Sequence, residues 1–361
     1  MMSITKSAGI RIGLCAALIL GWGTPSATAA TLLVDDSFLR SVLAFDATTG
    51  AFIKTFVPAG SGGLQEPGSM TFGPDGNLYV ISSPEISPSA VLRYNGTTGA
   101  FIDTFVSPGS GGLAFASDLT FGPDGNLYVT SEFTGPLLPG MNSPDSVLRF
   151  SGTTGAFIGA FVPAGGGGLT DPGGLAFGSD GNLYVNSGEG QGSQANAILR
   201  FAGTTGNFLS TFVPSGSGGL MGGLDLIFGP DGNLYTTNQT NPPSNVLRFA
   251  GATGAFLGTF VPAGSGGLTH PFNLAFGPDG NLYVTDSFPA AVRRYNGATG
   301  GFIDTFISGG SGGLTSPADL VFAPAAPPAP VPGPTTLLLL GSGALVVGLR
   351  WARQSLRDRR V

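Results

Sequence analysis

Short apolar runs alternate with turns rich in glycine and proline along most of the chain, and the runs recur in a fixed order. Met70-Thr71-Phe72 leads into Gly73-Pro74-Asp75-Gly76-Asn77, and Leu78-Tyr79-Val80 follows. Pro74 presets φ at the second turn position, Asp75 suits the third, and Gly76 takes the left-handed conformation that closes it. The pattern predicts a hairpin of two strands, here called a and b. It returns at Phe121 to Val129, Phe177 to Val185, Phe228 to Thr236 and Phe276 to Val284, with Ser179 replacing proline in the copy at 177. The tyrosines Tyr79, Tyr128, Tyr184, Tyr235 and Tyr283 are 49, 56, 51 and 48 residues apart, a spacing typical of propeller or solenoid units.

Two further runs complete each unit. Val91 to Tyr94 (strand c) passes through Asn95-Gly96-Thr97-Thr98-Gly99 into Ala100 to Val106 (strand d). A period of two puts Phe101 and Phe105 on one face. Matching pairs stand at Phe52 and Phe56, Phe157 and Phe161, Phe208 and Phe212, Phe256 and Phe260, and Phe302 and Phe306. Both members of each pair are expected in the core between neighbouring units.

The ends of the repeat region complement each other. Thr31 to Phe38 aligns with Asn281 to Phe288, so the first unit opens at strand b without a strand a of its own. Pro317 to Pro324 reads as a strand a whose Asp-Gly-Asn continuation is missing. A ring pairs the two within one sheet, whereas an open solenoid has no use for the match. The expected fold is therefore all-β, a six-bladed β-propeller over 31–324 with four-stranded blades, closed by three N-terminal strands and one C-terminal strand.

The flanks differ in kind. Residues 1–30 read as a secretory signal peptide, with Lys6 and Arg11 before the apolar Ile12 to Leu20 and a small-residue site at Ala27-Thr28-Ala29. Residues 325–334 form a proline-rich stem, and 335–361 join an uncharged run, Thr335 to Leu349, to an arginine cluster. That run is expected as a C-terminal hydrophobic helix of about 22 Å, short against a bilayer core near 30 Å.

Composition fits this plan. With 62 Gly and 28 Pro in 361 residues and only 10% charged, a chain lacking fixed turn positions would read as disordered. Setting aside Lys6, Arg11, the five tail arginines and Asp358 leaves 8 of the 15 bases and 20 of the 21 acids, a net charge of −12 for the body. Such a surface repels phosphate backbones, which excludes nucleic acid and suits cations or neutral sugars. Cys15 lies in the leader and His270 is the one histidine, so body disulfides, Cys nucleophiles and zinc sites built from several His or Cys are excluded.

The body, Thr31 to Pro324, resembles NHL-type six-bladed propellers, and more loosely streptogramin-lyase and gluconolactonase-like propellers, in Gly277-Pro278-Asp279-Gly280-Asn281-Leu282-Tyr283-Val284-Thr285-Asp286. The Asn-His-Leu triplet that named the first family does not occur. The resemblance implies architecture and leaves activity open, because these propellers include binding modules, lyases and lactone hydrolases. The tail resembles the PEP-CTERM sorting signal of exopolysaccharide-producing Gram-negative bacteria, with Val331-Pro332-Gly333-Pro334 for the usual Val-Pro-Glu-Pro. That resemblance implies an exosortase-type protease as partner, transient membrane association through the C-terminal helix, and release to the cell surface or biofilm. A plain C-terminal membrane anchor is the other reading of this tail.

Topology sets the candidate chemistry. The start of strand a, the end of strand b and the b to c loops share the face opposite the Gly-Pro-Asp-Gly turns. Those loops vary from Ser37 to Arg40 to the longer Glu132 to Ser146 and Gly188 to Ala197, which marks the face as the binding surface. Two polar rings are expected there. Ser69, Asp118, Gly174, Asp225, Asn273 and Asp319 surround the axial channel, and Asp36, Ser82, Ser131, Ser187, Asn238 and Asp286 lie beyond strand b. Oxygen ligands of this kind suit Ca²⁺ or Mg²⁺, while capping of backbone N–H groups is the alternative use. Arg93, Arg149, Arg200, Arg248 and Arg294 share one strand-c position, with Ala44 the exception, and read as scaffold bonded to turn carboxylates such as Asp75.

The leading expectation is an exported, monomeric, non-catalytic module that binds a glycan, a surface protein or a cation, with no catalytic residues. The alternative is a metal-assisted lyase or lactone hydrolase in which Asp118, Asp225, Asp319 and Asn273 hold a divalent ion and His270 moves a proton. A purely structural matrix component is the third reading.

Overall fold

The computed structural model describes residues 30–84, 87–132, 145–188, 196–239 and 244–324. The signal peptide, the stem, the expected C-terminal helix and its arginines lie outside these residues, as do most of the two long b to c loops. Among the described residues no helix is long and apolar enough to cross a membrane.

Six four-stranded antiparallel sheets form the body. Blade 2 is typical: strands a to d are Pro67–Phe72, Leu78–Ser82, Ala90–Tyr94 and Phe101–Val106. Each strand a contacts the strand a of the next blade, so the six inner strands close a ring. Blade 1 is built from both ends of the body, with Leu320–Phe322 paired to Thr31–Asp36 in the register Leu32 to Phe322 and Val34 to Leu320. The expected closure is what the chain adopts.

The a to b turn works through its aspartate. Asp75 Oδ1 accepts the Asn77 N–H at 3.0 Å, while Oδ2 accepts Asn77 Nδ2 at 2.7 Å and the Tyr79 hydroxyl at 3.0 Å. Gly76 sits at φ 76°, as the turn requires. The tyrosine then packs between blades. Tyr79 meets Phe105 of its own strand d at 4.8 Å and Phe121 of the next strand a at 4.9 Å, both edge to face. Equivalent trios form around Tyr128, Tyr184, Tyr235 and Tyr283. The core is thus six inter-blade clusters, not one central mass.

The phenylalanine pairs divide, contrary to expectation. Phe105 and its equivalents are buried, but Phe101 is 40% exposed and Phe52, Phe157, Phe208, Phe256 and Phe302 are similar. The cause lies in strand d, where the register with strand c shifts twice, between Val91 and Leu92 and between Arg93 and Tyr94. Those bulges break the period of two. Phe101 instead lies edge to face on Tyr94 at the rim and covers Gly62 in a single 3-10 turn, Ser61–Gly63, that precedes strand a.

Candidate functional site

Strand a carries a bulge where it reaches the variable face. In blade 2 Pro67 pairs with Ser82 and Met70 with Val80, so one residue is extra. The same shift occurs in blades 3, 4 and 6. It turns the first-ring residues inward, and Ser69, Asp118, Gly174, Asp225, Asn273 and Asp319 together line one axial cavity of about 80 Å³. The structure therefore assembles the first ring as the repeat predicts.

Its acids occupy alternate blades and serve a common purpose. Asp118 accepts the N–H of Leu119 at 2.8 Å and that of Leu175, in the next blade, at 2.8 Å. Asp225 accepts Leu226 N–H at 2.7 Å and Leu274 N–H at 3.1 Å, and Asp319 accepts Leu320 N–H at 2.6 Å and Met70 N–H at 2.5 Å. Each carboxylate ties its own blade to the following one. Between them, Ser69 donates to Asp118. Gly174 has no room for a side chain, since a Cβ there would lie 2.7 Å from Asp225 Cα. Asn273 Oδ1 is buried with no hydrogen-bond partner among the described residues.

Crowding three carboxyls into this channel shifts their titration. Burial pushes Asp118 up to about 6 against the hydrogen bonds from Ser69, Leu175 and Leu119. Burial, then the charge of Asp118, pushes Asp225 up to about 8. Asp319 is likewise raised, by burial first and then by the charge of the neighbouring Asp35. Among the described residues no three His, Cys, Asp or Glu side chains converge closely enough to hold a metal ion. The cavity has room for a few waters, not for a sugar ring.

The second ring serves the loops. Asp36, Ser82, Ser131, Ser187, Asn238 and Asp286 are buried, and each accepts the backbone N–H at the start of the segment that follows a 3-10 turn. Ser82 takes Gln65, Ser131 takes Ala114, Ser187 takes Thr170 and Asn238 takes Met221, at 2.9 to 3.1 Å. Asp36 takes Thr315 at 2.5 Å and Asp286 takes His270 at 2.8 Å. Asp286 also pairs with buried Arg293 at 2.8 Å. The sequence signal for this clamp is the Gly-x-Gly-Gly-Leu motif before every strand a, Gly60 to Leu64 in its first copy, which the Pro-Asp-Gly repeat overshadows.

The arginine row is scaffold as expected for Arg93, Arg149 and Arg294, which lie 3.7 to 3.8 Å from turn aspartates. Arg93 and Arg294 make closer pairs with strand-d Asp103 and Asp304, at 2.5 and 2.6 Å. Arg200 and Arg248 stack over Phe212 and Phe260. His270 lies on the variable face with Nδ1 3.1 Å from the Phe288 carbonyl, outside the axial cavity. Among the described residues that face exposes Phe38, at 81%, and Phe288, at 72%, equivalent residues in the b to c turns of adjacent blades, together with Met221 and, at the cavity edge, Phe272.

No protein-family model matches the chain, and no curated protein matches it in sequence. Solved structures do. A chain of the nidogen/laminin complex superposes with a TM-score of 0.62 at 15% identity, over 82% of this chain and 100% of that one. A protein of unknown function from Bacteroides caccae gives 0.57 at 12% identity, over 82% and 99%. A gluconolactonase from Xanthomonas campestris gives 0.52 at 20% identity, over 71% and 79%. At such identities the likeness is one of fold. The chain is a six-bladed β-propeller with gluconolactonase-like propellers among its structural neighbours.

Proposed function

We propose that this propeller is an exported, non-catalytic binding module that takes a neutral glycan on its variable face, in the surface or biofilm setting that the tail's resemblance to a sorting signal implies. The observation that carries the reading is the pair Phe38 and Phe288, 81% and 72% exposed in the b to c turns of adjacent blades, while the carboxylates of the axial cavity are already engaged by backbone N–H groups. Aromatic side chains held in water on a folded surface mark a contact site, and their faces suit the C–H face of a sugar ring. The acidic body disfavours anionic polymers. An exosortase-type protease as processing partner and release from the inner membrane belong to the same proposal.

A glycan array probed with the exported protein tests it. Binding to neutral polysaccharide is expected, and the double substitution Phe38→Ala, Phe288→Ala abolishes it while leaving the melting temperature unchanged. Retention of full binding by that variant refutes the assignment.

The gluconolactonase among the structures that share this fold favours one second reading, a metal-assisted lactone hydrolase or lyase. Turnover of lactones or cyclic depsipeptides that needs Mg²⁺ and is lost on His270→Ala would establish it in place of the first.

A further inference from the structure

The repeat breaks between blades 1 and 2, and the break leaves a cavity on the turn face. At the other five interfaces a strand-b tyrosine stands between two phenylalanines, donates its hydroxyl to the turn aspartate and lies beside a strand-c arginine; Arg93 covers Phe105 at 5.0 Å. Blade 1 lacks all three polar parts. Leu33 stands in the tyrosine position, Ala44 in the arginine position, and Ala323-Pro324 where the aspartate turn begins elsewhere. The flanking rings, Phe56 and Phe72, are still present.

The result is a cavity of about 670 Å³ whose lining includes Leu33, Ala44, Phe56, Phe72 and Lys54, within the size range of small-molecule sites. Leu33 and Ala44 are its buried floor. Lys54 Nζ lies 5.1 Å from the Phe56 ring centroid, the station that arginine takes in other blades. Among the described residues no carboxylate pairs with it. The site thus offers aromatic walls, the space of a missing phenol, and the unpaired Lys54 in the arginine's station; Asp75 shares the lining, but its carboxylate is already bonded by Asn77 and Tyr79 and lies 3.7 Å from Arg93.

We propose that this cavity binds a small aromatic acid, its ring in the space filled by tyrosine at the other interfaces and its carboxylate on Lys54. The ring gains edge contacts with Phe56 and Phe72 of the kind the tyrosines make, and the charge sets the preference for an anion. An aromatic cation is rejected by the same lysine.

Calorimetric titration of the full chain with 4-hydroxyphenylacetate, and with its neutral amide, tests the proposal. Saturable one-to-one binding of the acid is expected, with the amide weaker by about tenfold or more. Leu33→Tyr with Ala44→Arg rebuilds the arrangement of the other five interfaces, and is expected to abolish binding and raise the melting temperature. Lys54→Gln is expected to weaken the acid and leave the amide unaffected. No uptake of the acid, as when the chain's own flanking segments fill the cavity, overturns the proposal. So does binding that survives the Leu33→Tyr, Ala44→Arg substitution. If that variant fails to fold, the acid and amide affinities of Lys54→Gln decide the matter alone, since equal losses for both probes refute a charge contact.

Discussion

Asp36 accepts the backbone N–H of Thr315 at 2.5 Å, joining residues 279 apart in the chain. The same carboxylate takes the N–H groups of Ser316 at 3.0 Å and Leu39 at 2.8 Å, and Asp35 takes those of Ala318 and Asp319. Two adjacent acids at the start of the body therefore hold the strand that closes the ring.

Removing the first of them tests the latch. Asp36→Ala leaves the part-buried N–H groups of Thr315, Ser316 and Leu39 without their acceptor, and the expected cost is about 1–3 kcal/mol by urea denaturation. Deleting residues 317–324 is expected to abolish the cooperative transition altogether. A truncated protein that melts like the intact one means that the ring does not depend on this pairing.

Much of this was legible in the residues. The Pro-Asp-Gly turns repeat because each must satisfy the same backbone groups, so the blades could be counted from Asp75, Gly76 and their copies, and the closure from Thr31 to Phe38 complementing Pro317 to Pro324. The first ring was legible as well, since it lies at a fixed offset from each strand-a phenylalanine. The role of its acids was not, because whether Asp118 faces solvent or the Leu175 N–H depends on the neighbouring blade and on a bulge. The exposure of Phe101 was hidden for the same reason: two register shifts in strand d leave no trace in a period-two pattern.

The channel acids make stability depend on pH in an unusual direction. Asp225 is pushed up to about 8 and Asp118 to about 6, both chiefly by burial. Between the unfolded carboxyl value near 4 and these folded values the native state binds more protons than the unfolded one, so stability falls as pH rises through that window. The turn acids act oppositely. Burial raises Asp75, Asp124 and Asp279, but hydrogen bonds from asparagine and tyrosine and a nearby arginine outweigh it and hold them below the ordinary range. Their contribution is lost as pH falls below about 4. The melting temperature should therefore peak at about pH 4, and Asp225→Asn should flatten its decline towards pH 8. A wild-type melting temperature that rises from pH 6 to 8 contradicts this.

Gly62 is fixed by its neighbour across the blade boundary. It sits at φ 62°, and a Cβ there would lie 2.0 Å from Cδ2 of the Phe101 ring. Gly62→Ala combines backbone strain with displacement of the ring, an expected loss of roughly 2–3 kcal/mol. In a Phe101→Ala background only the backbone part, about 1 kcal/mol, should remain. Equal losses in both backgrounds show that the ring is not the obstacle.

Arg200 offers a gain. It pairs in register with Ser210 just as Arg93 pairs with Asp103. Asp103 Oδ1 accepts Arg93 Nε at 3.1 Å, while Arg200 Nε is buried with no hydrogen-bond partner among the described residues. Ser210→Asp supplies the missing acceptor at a position whose equivalent is half open to water. A partly exposed ion pair contributes up to about 1 kcal/mol, and relief of an unsatisfied buried donor adds to it. The expected stabilisation is about 1 kcal/mol by chemical denaturation, and it should vanish in an Arg200→Ala background. If the gain persists without the arginine, it comes from elsewhere and the assumed equivalence of the blades fails at this position.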